Sequence, residues 1–404
     1  MRAGLRQSAP VGRPVRDIHL RHPGAIEPLR RGHPWVWKQA IGRGLEGAVP
    51  GEEVQVVAPD GAPVGRGLVD PGSPIAVRMW THGQAPLARA EWRRRTARAC
   101  ALRARLFDAS HTSAYRLLHG EGDRMPGFVV DRYDRVAVLR TDGDAAAARV
   151  PDLVEALVPE LARLGVATLA HRIAVKGQPP RHELLHGEPP PETATVLEHG
   201  LPFVVDLARG QKTGAFLDQR DNRQRVRELA RGSRVLNLFS YAGGFSLFAA
   251  AGGAAHVTSV DVAASAHATA QASFRAAGLD PRAHAFATAD CFAFLEGARK
   301  RGDTWDLVIS DPPSFAPSEK AVPRALAAYR ALHGACAAVL APGGILCAAS
   351  CSSHVDPAAF LATLDDATLG RADLRLLEVR GAGADHPTLP SFPEGRYLKF
   401  TVLG

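Results

Sequence analysis

Residues 234–261, RVLNLFSYAGGFSLFAAAGGAAHVTSVD, limit the possible folds more than any other stretch. Val235, Leu236, Leu238 and Phe239 make a short apolar run, the length of one buried strand in a parallel sheet. Tyr241, Ala242, Gly243 and Gly244 form a tight turn. Residues 245–251 are apolar and Ala-rich, as in a helix packed on a sheet, and Gly252-Gly253 ends that helix. A second strand over 256–260 stops at the carboxylate of Asp261. Strand, glycine turn, helix, strand and acid together are the plan of a nucleotide-binding unit. Its glycines admit a ligand close to the backbone, and its acid accepts hydrogen bonds from ribose hydroxyls.

The turn is not GxGxxG. A dinucleotide needs glycines spaced to seat a pyrophosphate on a helix N-terminus. Here Ser240 and Tyr241 occupy the turn, and no third glycine opens the helix. A ligand with adenosine but no phosphate fits better, which points to S-adenosylmethionine. The plain alternative is an ordinary βαβ unit whose glycines serve packing alone.

At 404 residues the chain is long enough for two or three domains. It has no run of about 18 apolar residues, so no membrane span is expected. The first 16 residues lack an apolar core, so no secretory signal is expected. Cys100, Cys291, Cys336, Cys347 and Cys351 are too irregular for a disulfide frame, and no CxxC pair suggests a metal. A reducing cytoplasm is the expected compartment. The net charge of +8 sits at the front: residues 1–100 hold 16 Lys and Arg against 8 Asp and Glu, and the other 304 hold 33 of each. That asymmetry suits a nucleic-acid-binding module. A solvated basic face is the alternative, and coding bias towards Arg is a further source.

Residues 1–15 read as disordered, and 16–82 as a small β domain with turns at 50–51, 60–61 and 71–72. Arg31, His33, Trp35 and Lys38 lie where basic groups meet aromatics, which suits phosphate contact with base stacking. A core role for Trp35 or Trp37 is the competing reading. Residues 85–108 suggest an Arg-rich linking helix, 113–140 two or three strands, and 151–164 a helix. Pro179-Pro180 and the prolines at 189–191 read as a linker. The domains are therefore expected at 1–84, 85–190 and 191–404. Beyond 261 strand and helix continue to alternate, with strands near 284–287, 305–310, 345–350, 374–380 and 396–402. The expected class is α/β: a doubly wound C-terminal sheet preceded by a small β-rich domain and a small α+β domain. Asp261, Asp290, Asp311 and Cys351 all fall at carboxyl ends of strands, where such sheets bind ligands.

In Asp311-Pro312-Pro313 the prolines fix the backbone and hold the carboxylate over the cleft. Ser314 follows, where an aromatic would stack an exocyclic amine, and this weakens such a substrate. Cys351 ends a strand among Ser350, Ser352 and Ser353. A thiolate there could add to C6 of a cytosine and make C5 able to accept a methyl group. Cys347, inside the strand, reads as a small buried hydrophobe.

Several blocks occur in order: RGHPW, YRLLHGEGDRMPGFVVDRY, GQKTGAFLDQRDNR, NLFSYAGGFSLFAA, SVD, DPPSF, SCSS, ADHP and FPEGRY. In them the chain resembles the large-subunit 23S ribosomal RNA (cytosine-C5) methyltransferase I family. The resemblance implies an N-terminal PUA RNA-binding domain, a middle α+β domain and a class I (Rossmann-like) methyltransferase domain that uses S-adenosylmethionine. It implies Cys351 as nucleophile, Asp311 near cytosine N3, Asp261 on the ribose and Asp290 on the adenine amino group. The rest of the cofactor site would come from Gln211, Lys212, Thr213, Phe216 and Gln219, from Asn237, Phe239, Ser240, Tyr241, Gly243, Gly244 and Val262, and from Asp311 as a shared residue. The partner would be 23S ribosomal RNA or a large-subunit particle, with a homodimer left open. Two rivals stand beside this reading. A related guanine methyltransferase family needs no cysteine after the fifth strand, and a PUA-type protein with an inactive second domain would bind no cofactor. Uracil-C5 enzymes carry iron–sulfur cysteines that are absent from this sequence.

Overall fold

The computed structural model describes residues 15–174 and 180–404. The expected disorder of residues 1–15 falls, all but its last residue, outside the described residues, as does Pro179.

The first layer holds β1 (Arg16–Leu20), α1 (Ile26–Arg30), β2 (Trp35–Trp37), β3 (Ile41–Arg43), β4 (Glu53–Val57), β5 (Pro63–Val69) and β6 (Ile75–His82). The six strands order as β2-β6-β5-β4-β1-β3. Ile18, Val54, Val56, Val69 and Val77 fill its core, as period-2 strands with one apolar face require.

The second unit opens with α2 (Arg89–Leu106) and continues through β7 (Ala114–His119), β8 (Phe128–Tyr133), β9 (Val136–Thr141), α3 (Asp144–Ala148), α4 (Val150–Arg163), β10 (Thr168–Ile173) and β11 (Arg181–His186). Its sheet runs β11-β10-β9-β8-β7. Trp92, Ala99 and Cys100 of α2 and Leu153, Leu157 and Leu161 of α4 close over Phe128, Leu139 and Leu169. Pro180 stands just before β11, which returns antiparallel onto β10. Pro180, of the first proline group read as a linker, therefore adjoins a strand of this sheet, and the second group follows its last strand.

A two-stranded hairpin, β12 (Thr193–Glu198) and β13 (Leu201–Asp206), leads into the third unit. There follow α5 (Arg220–Leu229), β14 (Arg234–Leu238), α6 (Gly244–Ala251), β15 (His256–Asp261), α7 (Ala264–Ala276), β16 (Ala285–Thr288), α8 (Cys291–Arg301), β17 (Trp305–Ser310), α9 (Val322–Ala338), β18 (Leu340–Ser350), α10 (Pro357–Thr368), β19 (Leu376–Arg380) and β20 (Lys399–Leu403). The strands order as β16-β15-β14-β17-β18-β20-β19, with β20 antiparallel to both neighbours. Chain progression reverses between β14 and β17, the switch point at which such sheets bind ligands. Two apolar clusters cover the faces. One is centred on Val235, Phe248 and Phe400, and the other on Leu236, Tyr329 and Phe360. β18 starts at Leu340, earlier than the expected 345, because Leu340 already pairs with Trp305 and the Pro-Gly-Gly stretch bulges within the strand. Among the described residues, no helix is long and apolar enough to cross a membrane.

Candidate active site

At the carboxyl ends of β14, β15, β17 and β18 lies a cavity of about 250 Å³. Its walls are built by register. Leu238 pairs with both Val260 and Ser310, and Ser310 pairs with Ala348. The segments leaving these strands, 239–242 with Gly244, 261–262, 311–313 and Cys351, therefore open on one space.

The turn after β14 is held from both sides. Asp261 accepts Tyr241 N and Ala263 N, each at 2.8 Å, so this carboxylate shapes the turn as well as facing the cavity. The Tyr241 hydroxyl accepts Gln211 N at 2.6 Å, tying the 211–219 loop to the turn. Lys212, Phe239 and Tyr241 line the cavity with positive φ of 53°, 56° and 46°. Left-handed backbone at non-glycine residues is costly, and such residues gather at functional sites. Ser240 also lines the cavity, and its buried hydroxyl has no partner among the described residues.

Two further carboxylates share this space. Asp218 is buried; its Oδ2 accepts Lys212 Nζ at 3.0 Å and the Tyr397 hydroxyl at 2.6 Å. Burial opposes its charge, but Lys212, His386 and Tyr397 hold it well below the usual carboxylate range. Asp311 behaves in the opposite way. Burial first, and then the charge of Asp218, push it up to about 7, against the pull of Lys212 and a hydrogen bond from Gln219. One carboxylate is thus kept ionised and its neighbour kept near half-protonation at neutral pH, a pattern that separates base from acid.

Cys351 lies on the cavity wall and is the most exposed of the five cysteines, all of which are free thiols. Burial and Asp311 raise its thiol, and Lys212 acts in the other direction. The loop that follows is firmly held. Tyr329 donates to Ser350 Oγ at 2.8 Å and meets Ser352 Oγ at 3.0 Å. Buried Lys399 donates to the carbonyls of Ser352 at 2.6 Å and Val355 at 3.0 Å. Burial lowers Lys399 to about 8, with Cys351 and Asp356 opposing.

Of the residues expected from sequence to hold cofactor, Gln211, Lys212, Phe216, Gln219, Phe239, Ser240, Tyr241, Gly244, Asp261, Val262 and Asp311 line the cavity. Four do not. Thr213 bonds Tyr133 and Asp131 in the second unit. Asn237 is buried against Ser246. Gly243, at φ 72°, lets α6 approach α7, because a Cβ there would meet Ala270 Cβ at 2.6 Å. Asp290 is exposed and caps α8, accepting Ala293 N at 2.9 Å. Sequence reading missed Phe203, Arg223 and Leu398 as lining residues, and Tyr329 and Lys399 as supports.

The expected RNA contacts separate as well. Trp35 donates Nε1 to Glu121 of the second unit at 2.8 Å and packs edge-on to Phe392 of the third. His33 packs on Phe392 and reaches Glu394 at 3.3 Å. These two residues therefore join the three units. Arg31 and Lys38 are exposed, Arg31 paired with Glu27 and Lys38 with the Pro71 carbonyl. The ADHP block joins the units too. Asp385 accepts Arg220 at 2.8 and 2.9 Å and the Arg116 backbone N at 2.8 Å, and its carbonyl accepts Arg103 at 2.6 Å.

A family model described as S-adenosylmethionine-dependent methyltransferase matches residues 166–387, and a PUA-like domain model matches 22–82. The chain is 38% identical over 383 residues to a ribosomal RNA large subunit methyltransferase I of Photobacterium profundum, covering 93% of this chain and 96% of that one. It is 39% identical over 420 residues to a ribosomal RNA large subunit methyltransferase of Deinococcus radiodurans, covering 98% and 99%. A solved SAM-dependent methyltransferase from Streptococcus mutans shares the fold at TM-score 0.84 and 24% identity, over 96% of this chain and all of that one. A second, SMU.776 complexed with SAH, does so at TM-score 0.85 with the same identity and coverage.

Proposed function

The chain belongs to the S-adenosylmethionine-dependent ribosomal RNA large subunit methyltransferase I family, and on that premise we propose that it forms 5-methylcytosine in 23S ribosomal RNA through a covalent Cys351–C6 adduct. The observation that carries this reading is the pairing of Cys351 with Asp311, held up to about 7, in one cavity at neighbouring strand ends.

The cavity suits the cofactor: a carboxylate follows β15, a turn with close backbone approach follows β14, and the Ser240 hydroxyl lacks a partner among the described residues. Asp261, Tyr241 and the 211–219 loop would hold S-adenosylmethionine, which when bound supplies an electrophilic methyl group. The chain's own residues then activate the acceptor. The Cys351 thiolate adds to C6, opening the C5–C6 double bond, while protonated Asp311 donates to N3 and takes up the developing negative charge. C5 accepts the methyl group and gives up its proton to a base, N3 returns its proton to the Asp311 carboxylate, and the thiolate leaves C6 as the C5–C6 double bond re-forms.

The two groups favour this charge state together. An ionised Asp311 raises the thiol, so protonating Asp311 removes that influence and leaves the Lys212 cation to favour the thiolate. The productive pair thus carries one proton, on Asp311. A guanine-directed enzyme would leave Cys351 without a task. The proposed modules are 1–84, the N-terminal tail and PUA-like RNA-binding domain, 85–190, the linking helix and small α+β domain, and 191–404 for chemistry. Five free thiols suit a reducing cytoplasm. Mapping 5-methylcytosine in 23S RNA from cells with and without the gene tests the assignment: one cytosine should lose its methyl group, and an unchanged map would refute it.

A further inference from the structure

The basic excess is not on the first sheet. Residues 15–88 hold 8 Lys and Arg against 7 Asp and Glu, whereas α2 alone, residues 89–106, holds 7 Arg against 1 Glu. Three further Arg lie in residues 1–14, outside the described residues. Half of the +8 read from the first 100 residues is therefore the charge of one helix, whose last two Arg fall beyond that window.

That helix borders a groove of about 540 Å³ between α2 and the segment after the ADHP block. Arg94, Arg98 and Arg105 face it, at spacings of four and seven residues that place them on one side of a helix. Arg124 stands on the opposite wall. Arg94 is paired with Glu91. Arg98, Arg105 and Arg124 are exposed, and none is ion-paired among the described residues. The one acid in the groove, Asp123, is taken up by a two-pronged bond to Arg103 at 2.7 and 2.8 Å. The groove does not end there. Arg124 and Leu389 also line a second hollow, which His33 links to a third of about 320 Å³ beside Trp35 and Trp37. Trp37 is 36% exposed and meets Trp35 edge-on at 5.5 Å.

We propose that the α2 groove is a phosphate track for single-stranded RNA, with Arg98, Arg105 and Arg124 as its cations and Trp37 as a stacking platform at its far end. Unpaired guanidiniums on one helix face complement a strand of regularly spaced phosphates, and an exposed indole accepts any base. The proposal rests on the RNA-directed reading of the chain and names the surface that serves it.

The test measures binding of labelled 23S RNA transcript and of a uridine oligomer to the full chain across a salt series. It compares wild type with Arg98→Ala/Arg105→Ala/Arg124→Ala and with the matching Lys variant. Each neutralised phosphate on a single strand contributes about 0.7 to the slope of log affinity against log salt. The Ala variant should therefore lose about 2 from the slope and at least tenfold in affinity at low salt. The Lys variant should keep most of both. S-adenosylmethionine affinity, read by calorimetry, should be unchanged in all three, which shows that each is folded. Unchanged RNA affinity and slope in the Ala variant, with wild type binding RNA, would overturn the track and leave the methyltransferase reading standing. Failure of wild type to bind either RNA would overturn both.

Discussion

Lys212 and Asp218 are joined by a 3.0 Å ion pair, and the same carboxylate oxygen accepts the Tyr397 hydroxyl at 2.6 Å. This bond fixes a negative charge beside Asp311 and is one reason that Asp311 resists ionisation, after burial itself. Because the productive pair carries one proton, methylation should rise through an acid limb near pH 7, as Asp311 and Cys351 give up their first proton, and fall at higher pH with the second. Asp218→Asn removes the neighbouring charge and frees Lys212, and both changes favour ionised Asp311. The acid limb of the pH–rate profile should then move to lower pH. A limb that stays in place or moves up would break the link between these carboxylates.

A raised carboxyl is also a cost to the fold. Asp311 goes from an ordinary 3.8 to about 7, so between those values the folded chain binds more proton than the unfolded one. Its stability is therefore fully present below about pH 4 and falls as pH rises to 7. Asp311→Asn should remove that penalty. At pH 8 the variant should be more stable by about 1–3 kcal/mol, discounted because Asp311 keeps some solvent contact. At pH 4 the gain should vanish. Chemical denaturation at both values checks it, and a gain of equal size at each would point to packing instead.

Asp261→Ala should weaken S-adenosylmethionine binding about ten- to a hundred-fold, roughly 1.5–3 kcal/mol for a charge-assisted bond. The backbone N–H of Tyr241 would lose its acceptor as well. Asp261→Asn keeps an acceptor for Tyr241 N and should lose less. Equal affinity of wild type and Asp261→Ala in calorimetry would remove this residue from the cofactor site.

Much of the site was legible because its elements are local. Apolar runs of strand length ending in Asp261, Asp311 and Cys351 gave both the sheet and the edge at which it works. What escaped depends on contacts distant in sequence. Asp290 also follows a strand, but its carboxylate caps the next helix, and helix capping leaves the same sequence signature as ligand binding. Trp35 and His33 sit in a basic, aromatic block, yet their partners Glu121, Phe392 and Glu394 come from the other two units. Lys399 had a faint signal, a lone cation in the apolar strand KFTVL, but only the β18–β20 pairing brings it to the Cys351 loop. The charge asymmetry was real, but a window of 100 residues cut across α2 and blurred its position.

Lys399→Met should make Cys351 less reactive. It removes the cation whose ammonium holds the Ser352 and Val355 carbonyls and whose charge interacts with the thiol. Around Cys351 also stand Asp311, Lys212, Asp218, Tyr329 and Tyr397, and Asp356 faces Lys399. Burial pushes the Cys100, Cys291, Cys336 and Cys347 thiols up to about 12, so iodoacetamide near pH 8 should report Cys351 alone. Below about pH 8, where Lys399 is still a cation, alkylation of Cys351 should be slower in Lys399→Met and largely restored in Lys399→Arg. A slowing of equal size well above pH 8, where Lys399 has lost its charge, would limit Lys399 to holding the loop.

The most direct measurement is covalent trapping. A 23S RNA transcript carrying 5-fluorocytosine should capture the wild-type chain in the presence of S-adenosylmethionine, because fluorine does not leave C5 as a proton does. The complex should survive denaturing electrophoresis, and peptide mapping should place the link at Cys351. Cys351→Ala should give neither complex nor product while still binding cofactor, since the thiol serves the chemistry rather than the binding. Cys291→Ala, Cys336→Ala and Cys347→Ala should each still trap. Methylation of RNA by Cys351→Ala, or a link mapped to another cysteine, would contradict the Cys351–C6 adduct and make a guanine target the better reading.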